Sequence, residues 1–319
     1  MRVRSVILWL VGAMLVVPAL LLTLTRAFEP DGARWVQLEA FTPLALVLYA
    51  LLVLLVVVFR RHQAATIVVT AVALSGLGFH VWWFSPMLTG ANPPAPDGAE
   101  TLTVMTANMN FGEADGIELV QAASDEGVDV LVVQEVTESL LGSMEEAGLE
   151  ALFEHRAGEP GELAEGTMVF ANVELGEPTP VDTAWDSLLV EAGDLTLLAV
   201  HPHAPTDVER WRENHDLLNA TVTTERPDLV VGDFNATPDH APMRDLAEAG
   251  WRSATELAND GWQPTWSLSG YVDDAGLPLP ALVQIDDVLV GRGLASRGTH
   301  TVDLVDSDHR ALVAEVAVK

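Results

Sequence analysis

Seven residues, Leu229-Val230-Val231-Gly232-Asp233-Phe234-Asn235, lead an apolar run of strand type into a carboxylate and a carboxamide. Residues two apart point the same way at a strand end, so Asp233 and Asn235 address one point in space. The carboxylate can take a proton from water, and the carboxamide can hold an oxygen. Asp-x-Asn also builds turns, so the chemistry rests on what other strand ends carry. Asn108 and Asn110 follow the strand-like residues 102–107 in the same spacing, and Glu135 ends Val132-Val133-Gln134. His201 ends Leu198-Ala199-Val200, where Pro202 stops a ladder. Asp286 and Asp287 open an apolar strand, and Asp308 and His309 precede the last one. Each has a plain structural reading: an Asn-x-Asn turn, a Glu capping the next helix. Together they place amides, carboxylates and imidazoles at the strand ends where α/β proteins build sites. Oxygen donors without cysteine suit Mg²⁺ or Mn²⁺. Two histidines and an aspartate beside them suit phosphate hydrolysis, by metal clamping, water activation and leaving-group protonation.

The elements that must position these residues alternate in type. Strands are predicted at 102–107, 128–133, 166–171, 187–190, 195–200, 229–231, 285–290 and 311–318. Helices are predicted at 115–126, 137–147, 207–224 (capped by Thr206 or Asp207) and 242–249. Mixed order of this kind argues for sheets covered by helices. The soluble domain spans residues 101–319, long enough for one sizeable core.

Residues 1–84 read differently. Residues 5–25, 40–59 and 64–84 carry no Asp, Glu, Lys or Arg. Each is about long enough to cross a bilayer core of roughly 30 Å as a helix. The first could serve as a signal peptide, but two more runs follow at once, so three transmembrane helices are expected. His80 reads as interfacial, with Trp82 and Trp83 in an aromatic belt. Arg2, Arg4 and the Arg60-Arg61-His62 turn place the N-terminus in the cytoplasm and the domain after Phe84 on the extracytoplasmic side of the plasma membrane. Residues 85–100, with Asn92-Pro93-Pro94-Ala95-Pro96, form an extended linker.

Composition narrows the chemistry further. There is no cysteine, which excludes disulfides, zinc-thiolate sites and cysteine nucleophiles. The only lysine is Lys319, which excludes phosphate-loop and Schiff-base lysines. After Ser85 the chain holds ten Lys and Arg against 43 Asp and Glu, a formal charge of −33. Such a surface repels nucleic-acid backbones and favours a small or lipid-linked phosphoester, although acidity is also a general surface habit of some proteins.

The order Asn108, Glu135, His201, Asp233-x-Asn235, Asp286, Asp308-His309 resembles the endonuclease/exonuclease/phosphatase (DNase I-like) superfamily. The carrying motifs are TANMN, VVQE, VHP, GDFN, PTW at 264–266, QIDDVLV and SDH. The resemblance implies a four-layer α/β sandwich with two packed mixed sheets. It implies that Glu135 is the main metal ligand, with Asn108, Asn110 and Asp308 nearby. Asp233 would orient or deprotonate the attacking water. Asn108 and Asn235 would hold phosphate oxygens, with Thr265 and Trp266 on the substrate side. His309, paired with Asp286, would stabilise pentacovalent phosphorus, and His201 would contact the phosphate or assist the leaving group. Asp287 beside Asp286 leaves open which of them pairs with His309, Asn110 replaces an aspartate of some members, and His203 has no role. The layout of three spans before an outward-facing domain resembles the membrane-anchored teicoplanin-resistance subgroup of actinomycetes.

The reading that results is a membrane-anchored, divalent-metal-dependent phosphoester hydrolase acting on a phospholipid or polyprenyl-phosphate-type envelope substrate. The alternative with the same chemistry is an exported nuclease, whose signature would be a basic groove. A silent binding domain would be expected to lack Glu135, Asp233 or His309. A zinc amidohydrolase built on His201-Pro202-His203 lacks its bridging lysine. A Ser307-Asp308-His309 triad fails because sequence neighbours rarely converge on one atom.

Overall fold

The computed structural model describes residues 2–58, 64–90, 92, 93, 95, 98–267 and 280–318. The Arg60-Arg61-His62 turn and the linker residues Pro94 and Pro96 lie outside the described residues. The chain divides into two compact units, Met1–Pro86 and Met87–Lys319.

The first unit is helical. Two of its helices are long and apolar enough to cross a membrane, over Val6–Phe28 and Thr66–Phe84. The span expected at 40–59 takes another form. The helix Leu44–Val58 is preceded by the short helix Ala33–Glu39 at an angle of 66°, so the pair makes a third span only if it acts as one broken crossing. Pro43 sits in the break and cannot donate a backbone hydrogen bond there. His80, expected at the interface, is buried, and its Nε2 lies 2.9 Å from Thr23 Oγ1. The same hydroxyl meets Tyr49 OH at 2.9 Å, so one threonine joins three helices.

The second unit contains, in chain order, β1 (Thr101–Asn108), β2 (Val130–Gln134), β3 (His155–Ala157), β4 (Met168–Ala171), β5 (Thr179–Val181), β6 (Ser187–Ala192) and β7 (Leu195–Val200). These are followed by β8 (Leu229–Asp233), β9 (Arg252–Ser253), β10 (Trp266–Ser267), β11 (Ala281–Val283), β12 (Asp286–Val290), β13 (Ala295–Asp303) and β14 (Arg310–Ala317). Among the described residues they form two six-stranded mixed sheets, ordered β13-β14-β1-β2-β4-β3 and β5-β6-β7-β8-β12-β9, plus the β10–β11 pair. The parallel contacts are β1 with β2 and β7 with β8.

Alternation along the strands builds two cores. Val104, Val130 and Val132 of the first sheet join Leu197, Leu229, Val231 and Val288 of the second in a core between the sheets. The intervening Met105, Leu131 and Val133 face the helices Gly116–Asp125 and Glu138–Glu146 through Leu119, Val120, Leu140 and Met144. Strand side chains alternate faces with period two, so one run of valines feeds both cores. Both helices begin at side-chain caps: Asp115 accepts from the N–H groups of Ile117 and Glu118, and Thr137 from that of Leu140. The linker is not wholly extended. Pro86–Thr89 is a helical turn, and Asn92 Oδ1 accepts from the Ser296 N–H at 3.1 Å.

Gly232 is the residue that lets β7 and β8 meet at the site end. It has φ +151°, and a Cβ there would lie 2.1 Å from the Val200 carbonyl oxygen. No side chain fits, so the GD pair is set by the parallel contact as well as by chemistry.

Candidate active site

The ends of β1, β2, β7, β8 and β12 converge, and each delivers one of the expected residues. Asn108, the last residue of β1, bridges the two sheets. Its Nδ2 donates to Glu135 Oε1 and to Asp233 Oδ2, both at 3.1 Å. Its Oδ1 accepts the Asn110 N–H at 3.0 Å, which turns the amide nitrogen toward the two carboxylates. Asn110 contributes to the site through that backbone N–H, while its own carboxamide donates to the Asp306 carbonyl at 3.2 Å.

Glu135 follows β2 with φ +62°, and the Phe111 N–H donates to its Oε2. Asn110, Phe111, Asn235 and Asp306 also have positive φ. Half of the ten non-glycine residues of this kind among the described residues thus flank one cluster, where backbone strain marks functional turns.

Asp233 ends β8. Its Oδ1 accepts the Asn235 N–H at 2.7 Å, leaving Oδ2 facing the cluster. Asn235 Nδ2 donates to the Pro202 carbonyl at 3.1 Å, tying this turn to the end of β7. His201, fully buried there, places Nε2 3.7 Å from Glu135 Oε1 and 3.8 Å from Asp233 Oδ2. Neither of its ring nitrogens makes a hydrogen bond of ordinary geometry, although the Ala164 carbonyl is near enough to attract one weakly.

Asp286 lies opposite Asp233 in the antiparallel register of β12 with β8. Its Oδ2 receives His309 Nδ1 at 2.9 Å, and His309 Nε2 then lies 3.9 Å from both Asp233 Oδ2 and Asp308 Oδ1. Asp286 is therefore the partner of His309. Asp287 points elsewhere, accepting from Ser253 Oγ and its neighbour's Val288 N–H at 2.8 Å each. Thr265 and Trp266 support this pair. The buried Thr265 hydroxyl accepts the N–H groups of Ile285 and Asp286 at 3.1 Å, and Trp266 Nε1 donates to Asp308 Oδ2 at 3.0 Å.

The electrostatics follow from burial and crowding. Burial raises Asp233 to about 8, and the nearby Asp286 adds to it. Burial raises Glu135 as well, against the Phe111 N–H and Asn108. For His309 burial acts downward, but Asp286, Asp233 and Asp308 outweigh it and lift the imidazole to about 10. Burial, then the charge of His309, lowers His201 to about 3, so it is a neutral imidazole. One imidazolium thus stands among several buried carboxylates. That surplus of negative charge and oxygen donors fits a divalent cation. Among the described residues Asp233, Asp286 and His309 bring ligand atoms within 4.8 Å of one another. Because Asp286 is committed to His309, the carboxylate better placed for a cation is Glu135, with Asp308 close enough for its charge to raise it, while Asn108 presents its amide nitrogen to Glu135 and its oxygen to the Asn110 N–H.

The burial of Asp287 has a separate consequence. Desolvation lifts it from 3.8 to about 7. A carboxyl whose folded value is raised stabilises the fold fully below its unfolded value and loses that contribution as pH rises to about 7. Asp287→Asn removes the titration. Relative to the parent, the variant's melting temperature is expected to rise between pH 4 and 8, followed by thermal unfolding in detergent micelles.

Two contributors had no signal in the sequence. Trp185 packs its indole beside His201, with ring centres 5.0 Å apart, and stacks on His203 at 4.6 Å and 25°. Asn214, on a helix, reaches the backbone of both loops that carry those rings.

Residues 105–309, well over half of the chain and all of the cluster, match the Endonuclease/Exonuclease/phosphatase family. The chain belongs to this family. The family hydrolyses phosphoric ester bonds, so the protein is an enzyme of that class, and the strand-end cluster is its active-site candidate. Solved structures share the fold. A family protein from Bacteroides thetaiotaomicron is 15% identical, with a TM-score of 0.53 over 69% of this chain and 99% of that one. TDP2 from D. rerio, complexed with single strand DNA product, is 13% identical with a TM-score of 0.54, covering 69% and 100%. The 3' phosphatase NExo from Neisseria, bound to a product DNA hairpin, is 16% identical with a TM-score of 0.53, covering 67% and 98%. No curated protein matches the sequence.

Proposed function

We propose that the chain is a divalent-metal-dependent phosphoester hydrolase held in the plasma membrane by its apolar helices, with its catalytic domain on the extracytoplasmic side. The observation that carries the chemistry is the meeting of Asp233 Oδ2 with Asn108 at 3.1 Å, His201 at 3.8 Å and His309 at 3.9 Å. A carboxylate, an amide, a neutral imidazole and a charged imidazole then share one point. Water held at Asp233 Oδ2 loses a proton to it while its oxygen bonds to phosphorus. The phosphorus–ester oxygen bond breaks in line, and the leaving oxygen takes its proton from solvent water, balanced by the proton that Asp233 later returns to solvent, while neutral His201 contacts the phosphate. His309, kept charged and aimed by Asp286, donates to the phosphoryl oxygen as negative charge builds there. Asn108 and Asn235 orient the remaining oxygens. Glu135, with Asp308, would hold Mg²⁺ or Mn²⁺, which supplies Lewis acidity toward the phosphoryl group.

The substrate class follows from charge and anchoring. The second unit is strongly acidic, and Arg156, Arg252 and Arg310 are each engaged by a carboxylate within 3 Å. With ten Lys and Arg against 43 Asp and Glu after Ser85, the net field opposes a polyanion. A membrane-held enzyme meets lipid-linked substrates at high effective concentration. We therefore favour a phospholipid or polyprenyl-phosphate headgroup of the envelope, in keeping with the layout of the teicoplanin-resistance subgroup. A nucleic-acid phosphoester is the second reading, favoured by the DNA bound to TDP2 and NExo.

The test is a substrate panel with the full-length protein in detergent micelles: a polyprenyl pyrophosphate, a phospholipid, plasmid DNA and p-nitrophenyl esters. Faster turnover of a lipid-linked ester than of DNA is expected, and the reverse order would replace the first reading with the second. Glu135→Gln is expected to raise the Mg²⁺ concentration for half-maximal turnover by at least the ~10–100-fold that loss of an outer-shell partner costs. An unchanged metal titration would remove Glu135 from the metal site.

A further inference from the structure

We propose that Asn214 is a positioning residue for phosphoester hydrolysis, acting through His201 by clasping the two loops that wall its imidazole. The inference rests on the hydrolase reading above and adds a residue to it. Asn214 lies on the helix Val208–Glu225, whose N-terminus is capped by Asp207 accepting the Arg210 N–H. Trp211, Asn214 and His215 are spaced i, i+3, i+4 and so share one face.

From that face a single atom reaches two loops. Asn214 Oδ1 accepts the Ala184 N–H at 3.0 Å and the His203 N–H at 2.9 Å. Both partners are donors, so the atom between them must be the amide oxygen. Ala184 precedes Trp185 in the loop before β6, and His203 lies two residues beyond His201. The clasp therefore sets the separation of the Trp185 and His203 rings, which stack 4.6 Å apart at 25°. Trp185 in turn lies 5.0 Å from the His201 ring.

This matters because His201 is held almost entirely by packing. Its backbone N–H donates to Ser187 Oγ at 3.0 Å, but neither ring nitrogen makes a well-formed hydrogen bond. A side chain aimed at a reacting centre with at most one weak hydrogen bond, here to the Ala164 carbonyl, keeps its aim only if its walls are fixed. The same helix face fixes the other side as well. Trp211 Nε1 donates to the Asn235 carbonyl at 2.9 Å, and Asn235 Nδ2 donates to Pro202. Residues 201–203 are thereby fastened from both directions, which also gives His203 its place: its ring is a stacking partner and its N–H an anchor.

A staple that serves only stability would lower the melting temperature and leave the chemical step alone. The test compares the full-length parent, Asn214→Leu, Asn214→Asp, His201→Ala and the Asn214→Leu/His201→Ala double variant in detergent micelles, on bis-p-nitrophenyl phosphate with Mg²⁺. Leucine removes the acceptor, and aspartate keeps an oxygen for both N–H groups. Asn214→Leu is expected to lower kcat about 10- to 100-fold, the scale of a misplacement near 1 Å, with KM changed less than about threefold. Asn214→Asp is expected to stay within about threefold of the parent in kcat. In the His201→Ala background Asn214→Leu is expected to cost less than about twofold, because the group it positions is gone. An active parent in which the two losses multiply, in which aspartate fails to rescue, or in which only the melting temperature moves, overturns the role of Asn214 and leaves the hydrolase reading standing. A parent without turnover on any phosphoester overturns both.

Discussion

Asp233→Asn is expected to reduce turnover of a phosphodiester by about 10²–10⁴-fold, the range that a positioned general base contributes. The substitution keeps the turn but sets an amide N–H₂ against Asn108 Nδ2, which donates to Asp233 Oδ2 at 3.1 Å in the parent, so that bridge between the sheets is lost. An asparagine oxygen still accepts the Asn235 N–H that Asp233 Oδ1 now takes at 2.7 Å, so the turn survives. The chemistry loses the basic oxygen at the meeting point of Asn108, His201 and His309. Holding Asp233 in its buried site well above 3.8 costs folding free energy that asparagine does not, which offsets the lost Asn108 bond, so the variant is expected to be at least as stable as the parent near neutral pH. Its raised value of about 8 means that, above 3.8, the folded protein loses stability as pH climbs to about 8. A thermal scan beside the rate measurement separates the two effects: slow turnover with an unchanged or higher melting temperature is the expected pair. A variant turning over within about tenfold of the parent would take the base role from Asp233.

The second large effect is expected at His309. Removing one preorganised donor to developing charge costs about 10²–10³-fold in kcat, and His309→Ala is expected to fall in that range. Asp286→Asn tests the same pair by another route. Asp286 is the leading cause holding His309 near 10 against burial, so without its charge the imidazolium is lost at lower pH. The alkaline limb of the pH–kcat profile, set near 10 in the parent, is expected to move toward neutrality in Asp286→Asn. Because aspartate and histidine act as one unit, the double variant is expected to be little worse than His309→Ala alone. Losses that multiply would mean that the two residues act separately.

These effects fall on residues whose chemistry was legible in the sequence, and the reason is local. Strand ends were readable because valine runs alternate into two cores, and the polar residue that ends each run stands out. The helices Gly116–Asp125 and Ala241–Ala249 lie within one residue of their expected bounds because caps and apolar spacing are local signals. The β13 strand, Ala295–Asp303, was not legible. It is an edge strand with exposed Arg297 and His300, a register shift near Gly298 and no apolar alternation. The pairing of Asp286 rather than Asp287 with His309 was equally hidden. It depends on the register of β12 against β8, and a shift of one residue would exchange the two carboxylates. Thr265 belongs to the same class. PTW was legible as a motif, but that its hydroxyl anchors the backbone before Asp286 depends on residues 20 and 21 positions away. The broken second helical pair was masked by composition, since residues 40–59 are as apolar as a straight span.

Metal-dependent turnover is the most direct measure of the central claim. The full-length protein in detergent micelles is given bis-p-nitrophenyl phosphate and p-nitrophenyl phosphate, with Mg²⁺, with Mn²⁺ or with EDTA. Turnover with either cation, abolished by EDTA, restored by adding metal back and lost in Asp233→Asn is the expected result. Turnover that is indifferent to EDTA, or that persists in Asp233→Asn, would contradict a hydrolase in which Glu135 holds the cation and Asp233 takes the proton from water.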